Sequence, residues 1–114
     1  MDELEMRTIL KTTMMEYSGN GAKAYVFPVF DDAHGTYSLN LVDYWDTKHR
    51  PLIIQFIRFY KDTLIIEEDI TDRPIAELLQ ERGIPADRIV CIQAGQPYPE
   101  HLQKTRKELP PHDA

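Results

Sequence analysis

Apolar residues recur along the chain with two different periods, and the switches between them mark out the elements. Met6, Ile9, Leu10, Thr13, Met14 and Tyr17 form a helical stripe. Asp2 followed three residues later by Glu5 makes a capping-box-like start. The run Ser18-Gly19-Asn20-Gly21 then ends the helix in a turn. From residue 23 the period changes to two. Residues 23–30 are rich in Tyr, Val and Phe and predict a strand, with Pro28 pointing to an edge position or a bulge. Asp31 to Gly35 reads as a turn. In 36–45, Tyr37, Leu39, Leu41 and Trp45 share one side, with Ser38 and Asn40 opposite.

A polar turn at 46–50 leads into the longest apolar run, Leu52 to Tyr60. Lys61-Asp62 is a tight connection, and Leu64 to Ile66 continue as a fourth strand. Thr71 or Asp72 is placed to cap a second helix, with Pro74 in its first turn and Ile75, Leu78 and Leu79 on one face. Gly83 is suited to a left-handed helix end, Ile84 to folding back on the last turn, and Pro85 stops continuation. Ile89 to Ile92 supply a short buried strand. The order is α-β-β-β-β-α-β, an α+β, two-layer fold with two main helices on an antiparallel sheet of about five strands. Residues 1–94 form one domain, and 95–114 a Pro-rich, polar C-terminal tail.

The strand composition carries a further expectation. In 24–30, Val26 and Phe30 fall on one side and Tyr25, Phe27 and Val29 on the other, so both faces are apolar. In 52–60, Leu52, Ile54 and Phe56 oppose Ile53, Ile57 and Phe59. A sheet with one solvated face alternates more cleanly. Two helices cover one face, so the other needs the tail, another subunit or a partner. Residues 95–112 hold four prolines and few apolar side chains, which favours intermolecular cover and a homo-oligomer or heteromer.

Charge narrows the function. The net charge is −6. Residues 1–22 carry two bases against four acids, 23–94 eight against twelve, and 95–114 three against three. Gripping duplex DNA needs clustered Lys and Arg to replace phosphate counterions, and no such cluster is present. No signal peptide is visible in the acidic N-terminus, and no segment approaches the run of about 20 apolar residues of a membrane span, so cytoplasmic is the expected location. Cys91, alone between Val90 and Ile92, reads as a small buried filler.

Candidate chemistry is sparse. Asp31, Asp32 and His34 resemble half a metal site, but sit in a Gly-containing turn where such residues bond locally. Asp43, Asp46 and His49 surround Trp45 and read as loop charges. Glu67, Glu68, Asp69 and Asp72 form the densest acidic cluster. The positive end of the following helix accounts for Asp69 and Asp72, and a small-ligand or metal sensor is the alternative reading of 67–72. There is no phosphate-binding Gly loop, zinc-ligand spacing, nucleophile elbow or His-x-x-x-His pair, so neither an enzyme nor a cofactor is expected. Tyr44, Trp45 and Tyr98 are the candidate partner-binding residues, because aromatic anchors dominate interface energetics. Core packing is the plainer role for Trp45, and loop packing for Tyr98.

The run Asp69-x-Thr71-acid, Ile75-Ala76-x-Leu78 and Gly83-Ile84-Pro85-x-Asp87-x-Ile89-Val90 resembles the XisI family, the controlling factors for excision of the fdxN element in cyanobacterial genomes. Glu16-Tyr17, Phe30-Asp31 and Tyr37-x-Leu39 leading towards Trp45 and Arg50 extend the resemblance upstream. The chain departs from the family pattern at Tyr44, in 51–60 and from Gln93 onward, as a divergent member would. The resemblance implies an accessory role in DNA rearrangement, or restraint of a nuclease-like companion of the XisH kind.

Overall fold

The structure, a computed structural model, describes residues 1–21, 23–44 and 51–100. The elements run α1 (Glu3–Met15), β1 (Gly19–Asn20), β2 (Ala24–Asp31), β3 (Thr36–Asp43), β4 (Leu52–Tyr60), β5 (Thr63–Asp69), α2 (Ile75–Glu81), a one-turn 3-10 helix (Ala86–Arg88) and β6 (Ile89–Cys91). The class is α+β, with the sheet in the spatial order β1-β2-β3-β4-β5-β6. Among the described residues, no helix is long and apolar enough to cross a membrane.

Two corrections concern the sheet. It has six strands rather than about five, because Gly19 and Asn20, read as part of a turn, pair with Val26 and Tyr25. It is also mixed rather than antiparallel. β1 to β5 form an antiparallel meander, but β6 runs parallel to β5, with Leu64 opposite Ile89 and Ile66 opposite Cys91. The reason is the crossover: α2 carries the chain back along the sheet before β6 begins, as parallel pairing requires. Pro28 does sit on an edge, since β1 reaches only Tyr25 and Val26 and leaves that side of β2 unpaired at Pro28.

Turn chemistry explains the hairpins. Lys61 and Asp62 both take positive φ, 45° and 63°, the twist that matches a two-residue β connection. Gly35 turns β2 into β3 at φ 60°, and its carbonyl accepts from Phe59 N at 2.8 Å. A β-carbon there would stand 2.4 Å from the Phe59 carbonyl oxygen, so only glycine fits.

The helices begin and end for local reasons. Asp2 Oδ1 accepts from Glu5 N at 2.8 Å, as the capping pattern predicted. α2 ends with Gly83 at φ 106°, Ile84 N donating to the Leu79 carbonyl and Gly83 N to that of Gln80, the paired bonds of a Schellman closure. Its start corrects the sequence expectation. Neither Thr71 nor Asp72 caps it. Asp69, six residues upstream, folds its Oδ2 over to accept from Ile75 N at 2.8 Å.

Both helices pack on one face of the sheet. Met6, Leu10 and Met14 of α1 and Ile75 and Leu79 of α2 join Ile84, Tyr37, Leu39, Ile57, Leu64 and Ile66 in a single core. Ile9, Tyr17 and Cys91 line its margin. Arg82 ties the helices together: it donates to Thr13 Oγ1 at 2.9 Å and forms a two-bond ion pair with Glu16.

β4 departs from the simple alternation expected of it. Ile54 is an extra residue against β3, because Leu39 faces Gln55 while Asn40 faces Ile53. The bulge shifts the parity. Ile53 therefore turns to the face away from the helices, Ile54 packs against the core margin, and Gln55, Ile57 and Phe59 are buried beneath the helices.

Candidate functional site

The sheet face away from the helices carries the side chains best suited to recognition. Along β2, Tyr25, Phe27 and Val29 point to this face, opposite Val42, Asn40 and Ser38 of β3. Tyr25 and Phe27 stack, with ring centroids 5.0 Å apart and planes 17° from parallel. Asn40 Nδ2 donates to the Phe27 carbonyl at 3.3 Å and to Ser38 Oγ at 3.1 Å, so the one amide in the patch is held flat within it. Tyr25, Val29 and Ile53 are 39%, 53% and 47% exposed. Large apolar side chains exposed together on a sheet have the composition that interaction surfaces share.

The same face changes character towards β5. Ile65 is fully buried there. Arg58 pairs with Glu67 at 2.9 Å, and the Tyr98 hydroxyl donates to Glu67 Oε1 at 2.6 Å. The chain reaches that point by a tight reversal after β6. Gln96 Oε1 accepts from Cys91 N at 2.6 Å, and Gly95 N donates to the Ile92 carbonyl. The first part of the segment read as a tail is therefore bonded back to the sheet.

Of the three aromatic candidates, the structure separates two and is silent on one. Tyr44 lies just past β3, its backbone N–H on the Lys23 carbonyl at 2.8 Å and its hydroxyl on Asn20 Oδ1 at 3.2 Å, with half of the side chain exposed. Tyr98 is half-buried against Glu67 of β5. β4 stands between them in the sheet order. Trp45 lies outside the described residues, as do Asp46 and His49.

The acidic run 67–72 is built as a set of internal acceptors. Asp69 Oδ1 takes Thr71 N at 3.0 Å and Thr71 Oγ1 at 2.6 Å, while its Oδ2 caps α2. Its own N–H donates to Gln93 Oε1 at 2.7 Å, linking β5 to the segment after β6. Gln55, fully buried in β4, directs its Nε2 at Asp69 Oδ1 across 3.4 Å. Tyr17 closes the group, donating to the Arg73 carbonyl at 2.5 Å. Burial first, then the Asp69 charge, push the Tyr17 phenol above its usual range. Among the described residues, no group of three or more His, Cys, Asp and Glu side chains is placed to hold a metal ion.

A second polar knot joins α1 to the β2–β3 turn. Arg7 donates to the Tyr37 hydroxyl oxygen and, at 2.8 Å, to the Asp32 carbonyl, and its guanidinium lies 4.7 Å over the Phe59 ring. Tyr37 in turn donates to Asp32 Oδ1 at 2.8 Å, and Lys11 pairs with Asp32 Oδ2 at 2.7 Å. Burial and the Asp32 bond push the Tyr37 phenol up to about 12. Asp31 holds His34 through both its backbone N–H and its ring, the local turn bonding expected of this stretch.

Sequence reasoning passed over Arg7 and Gln55. Gln55 had a signal: it is the one strongly polar residue in the apolar run 52–57. For Arg7 only the i,i+4 spacing to Glu3, with which it pairs at 2.7 Å, was legible; its bonds to Asp32 and Tyr37 span 25 and 30 residues.

A family model described as XisI protein matches residues 1–99. Among solved structures, a XisI-like protein from Anabaena variabilis ATCC 29413 superposes with a TM-score of 0.60 at 18% identity, over 77% of this chain and 79% of that one. The fdxN element excision controlling factor XisI from the same organism gives a TM-score of 0.60 at 20% identity, over 78% and 90%. At these identities the structures show a shared fold. No curated protein matches the chain.

Proposed function

The chain belongs to the XisI family, and from that membership we propose that it is a non-enzymatic regulatory factor controlling excision of a DNA element. The single observation that carries this reading is the family match across residues 1–99, together with the name of the related Anabaena protein, an fdxN element excision controlling factor. The chemistry of the chain agrees. With a net charge of −6 and more acids than bases across residues 1–94, it acts through a protein partner and not by gripping duplex DNA. A nuclease-like companion of the XisH kind is the expected partner, met in the cytoplasm. An acidic protein suits restraint of a basic nucleic-acid cleft, because opposite potentials speed and orient docking.

The alternative, a small-ligand or metal sensor at 67–72, is less well supported. The Asp69 oxygens are engaged by backbone and side-chain donors, and Glu67 by Arg58 and Tyr98. Calcium or magnesium is therefore expected to leave the melting temperature unchanged.

The test is co-expression of the chain with a nuclease-like protein of the XisH kind, followed by affinity purification and a nuclease assay. Stable co-purification with altered nuclease or excision activity is the expected result. Tight, salt-sensitive retardation of duplex DNA by the isolated chain would contradict it.

A further inference from the structure

The last strand of a sheet presents N–H and C=O groups that another strand can take up. Among the described residues, β1 and β6 stand at the two ends of this sheet. On the first side, Gly21 N donates to the Ala24 carbonyl and Val26 faces Gly19, so the even-numbered residues of β2 turn their backbone towards β1. Past the end of β1 the next such residue is Pro28, which has no N–H to offer. The proline ring blunts that edge.

The opposite edge is closed by other means. Ile92 N donates to the Ile66 carbonyl at 3.0 Å, so Cys91, one residue earlier, turns its backbone away from β5 to the outer side. Both of its backbone groups are engaged there by one residue. Gln96 Oε1 accepts from Cys91 N at 2.6 Å, and Gln96 N donates to the Cys91 carbonyl at 3.2 Å. A residue opposite Cys91 on an added antiparallel strand would make the same two bonds with its N–H and C=O. Ile89 N, the other outward donor of β6, goes to the Ala86 carbonyl. The end of β5 follows suit. Ile70 N donates to the Ile54 carbonyl of β4, so Asp69 turns its backbone outward, past the last pairing with β6 at Ile66. Gln93 Oε1 accepts from Asp69 N at 2.7 Å. The two glutamines reach these positions through a tight reversal, with Gly95 at φ 92° and its N–H on the Ile92 carbonyl. The Tyr98 hydroxyl then fastens the far side of the reversal to Glu67.

We propose that residues 92–98 are an edge guard. Gln93 and Gln96 stand in for a neighbouring strand, and without them the β5–β6 edge pairs with a strand of a second copy of the chain. In a solution of the pure chain a second copy supplies the available strand, and the same edge opens on every copy, so two of them meet antiparallel about a two-fold axis. The guard keeps the sheet from growing sideways at the one end that carries no proline in its strand. It stands whether or not the excision reading holds, because it rests on the backbone bonds of this edge.

Gln96→Ala in the full chain tests it, with Gln96→Glu beside it because a carboxylate keeps an oxygen for Cys91 N. Gln96 is exposed and lies outside the core, so both variants keep the fold. In dilute Gln96→Ala, amide hydrogen exchange at Cys91 should speed up by about tenfold or more, and in Gln96→Glu it should stay near that of the parent. As concentration rises, Gln96→Ala should sediment heavier than the parent at equal concentration. Its Cys91 amide should then regain protection, because the added strand accepts from it. Adding Gln93→Ala should enlarge both effects and extend them to the Asp69 amide. Unchanged exchange at Cys91 in Gln96→Ala would overturn the proposal. Faster exchange with no gain in mass would overturn it too, leaving Gln96 as a fastening of the turn alone. Association with the Cys91 amide still exchanging fast would place the contact elsewhere, and the proposal fails. It fails as well if Gln96→Glu associates as readily as Gln96→Ala.

Discussion

Tyr37, Leu39, Ile57 and Leu64 on the helix side of the sheet are sealed from solvent, whereas Tyr25, Val29 and Ile53 on the other side stand between 39% and 53% exposed. Both sets are apolar and come from strands of one sheet, β4 contributing to each. On the helix side, α1 and α2 contribute Met6, Leu10, Met14, Ile75 and Leu79 to close the core. Among the described residues, the opposite side receives only the turn after β6, which bonds to β6 itself and to Glu67 of β5. Apolar character alone therefore does not place a residue in the core. What matters is whether a second layer arrives, and here both helices arrive on one side.

Substitutions can break or sharpen that contrast. The largest difference should come from matched truncations. Leu39→Ala, under the helices, should cost about 3 kcal/mol through lost transfer energy and an unfilled cavity, while Val29→Ala on the open face should cost less than about 1 kcal/mol. Urea denaturation at a concentration where the chain is monomeric measures both, and equal losses would erase the distinction between the faces. Gly35→Ala should follow at about 2–3 kcal/mol, since its β-carbon meets the Phe59 carbonyl at 2.4 Å and must displace the hairpin end. A thermal melt with wild-type midpoint would refute that contact.

Asp69→Ala should cost about 2 kcal/mol, because Ile75 N–H and both Thr71 donors lose their acceptor at once. Hydrogen exchange should report it first at the start of α2. Gly83→Val should cost about 1–2 kcal/mol from backbone sterics, since φ is 106° and the nearest outside atom, Met1 Cε, is 3.4 Å from the new β-carbon. That loss should appear in the melting temperature without steric rearrangement elsewhere. The smallest effect is a pH dependence. Folding holds the Tyr37 proton more tightly than the unfolded chain, whose phenol titrates near 10. Stability is thus fully present below pH 10 and falls as pH rises through about 12. Tyr37→Phe should flatten this alkaline limb relative to the parent.

Much of the α2 region was legible because its signals are local. Gly83, Ile84 and Pro85 end a helix through bonds that span five residues at most, and the Lys61-Asp62 turn needs only two. The family resemblance rests on the same stretch. The cap of α2 was misassigned because proximity in sequence favoured Thr71 or Asp72, yet the carboxylate of Asp69 is brought back by the end of β5. The aromatic candidates show the limit of composition: Tyr44 and Tyr98 share a residue type, but the strand order keeps β4 between them.

The sequence by itself determined the α+β class, the two helices with the C-terminal end of α2, four strands of the meander and the acidic net charge. Each follows from periodicity, turn chemistry or charge, which act over a few residues or are simple sums. Only the tertiary structure decided that β6 joins in parallel, that the Ile54 bulge turns Ile53 outward, that Arg7, Asp32 and Tyr37 meet, and which apolar face stays open. Those outcomes depend on pairing and packing between segments tens of residues apart, and a strand's sequence does not reveal which side the helices will cover.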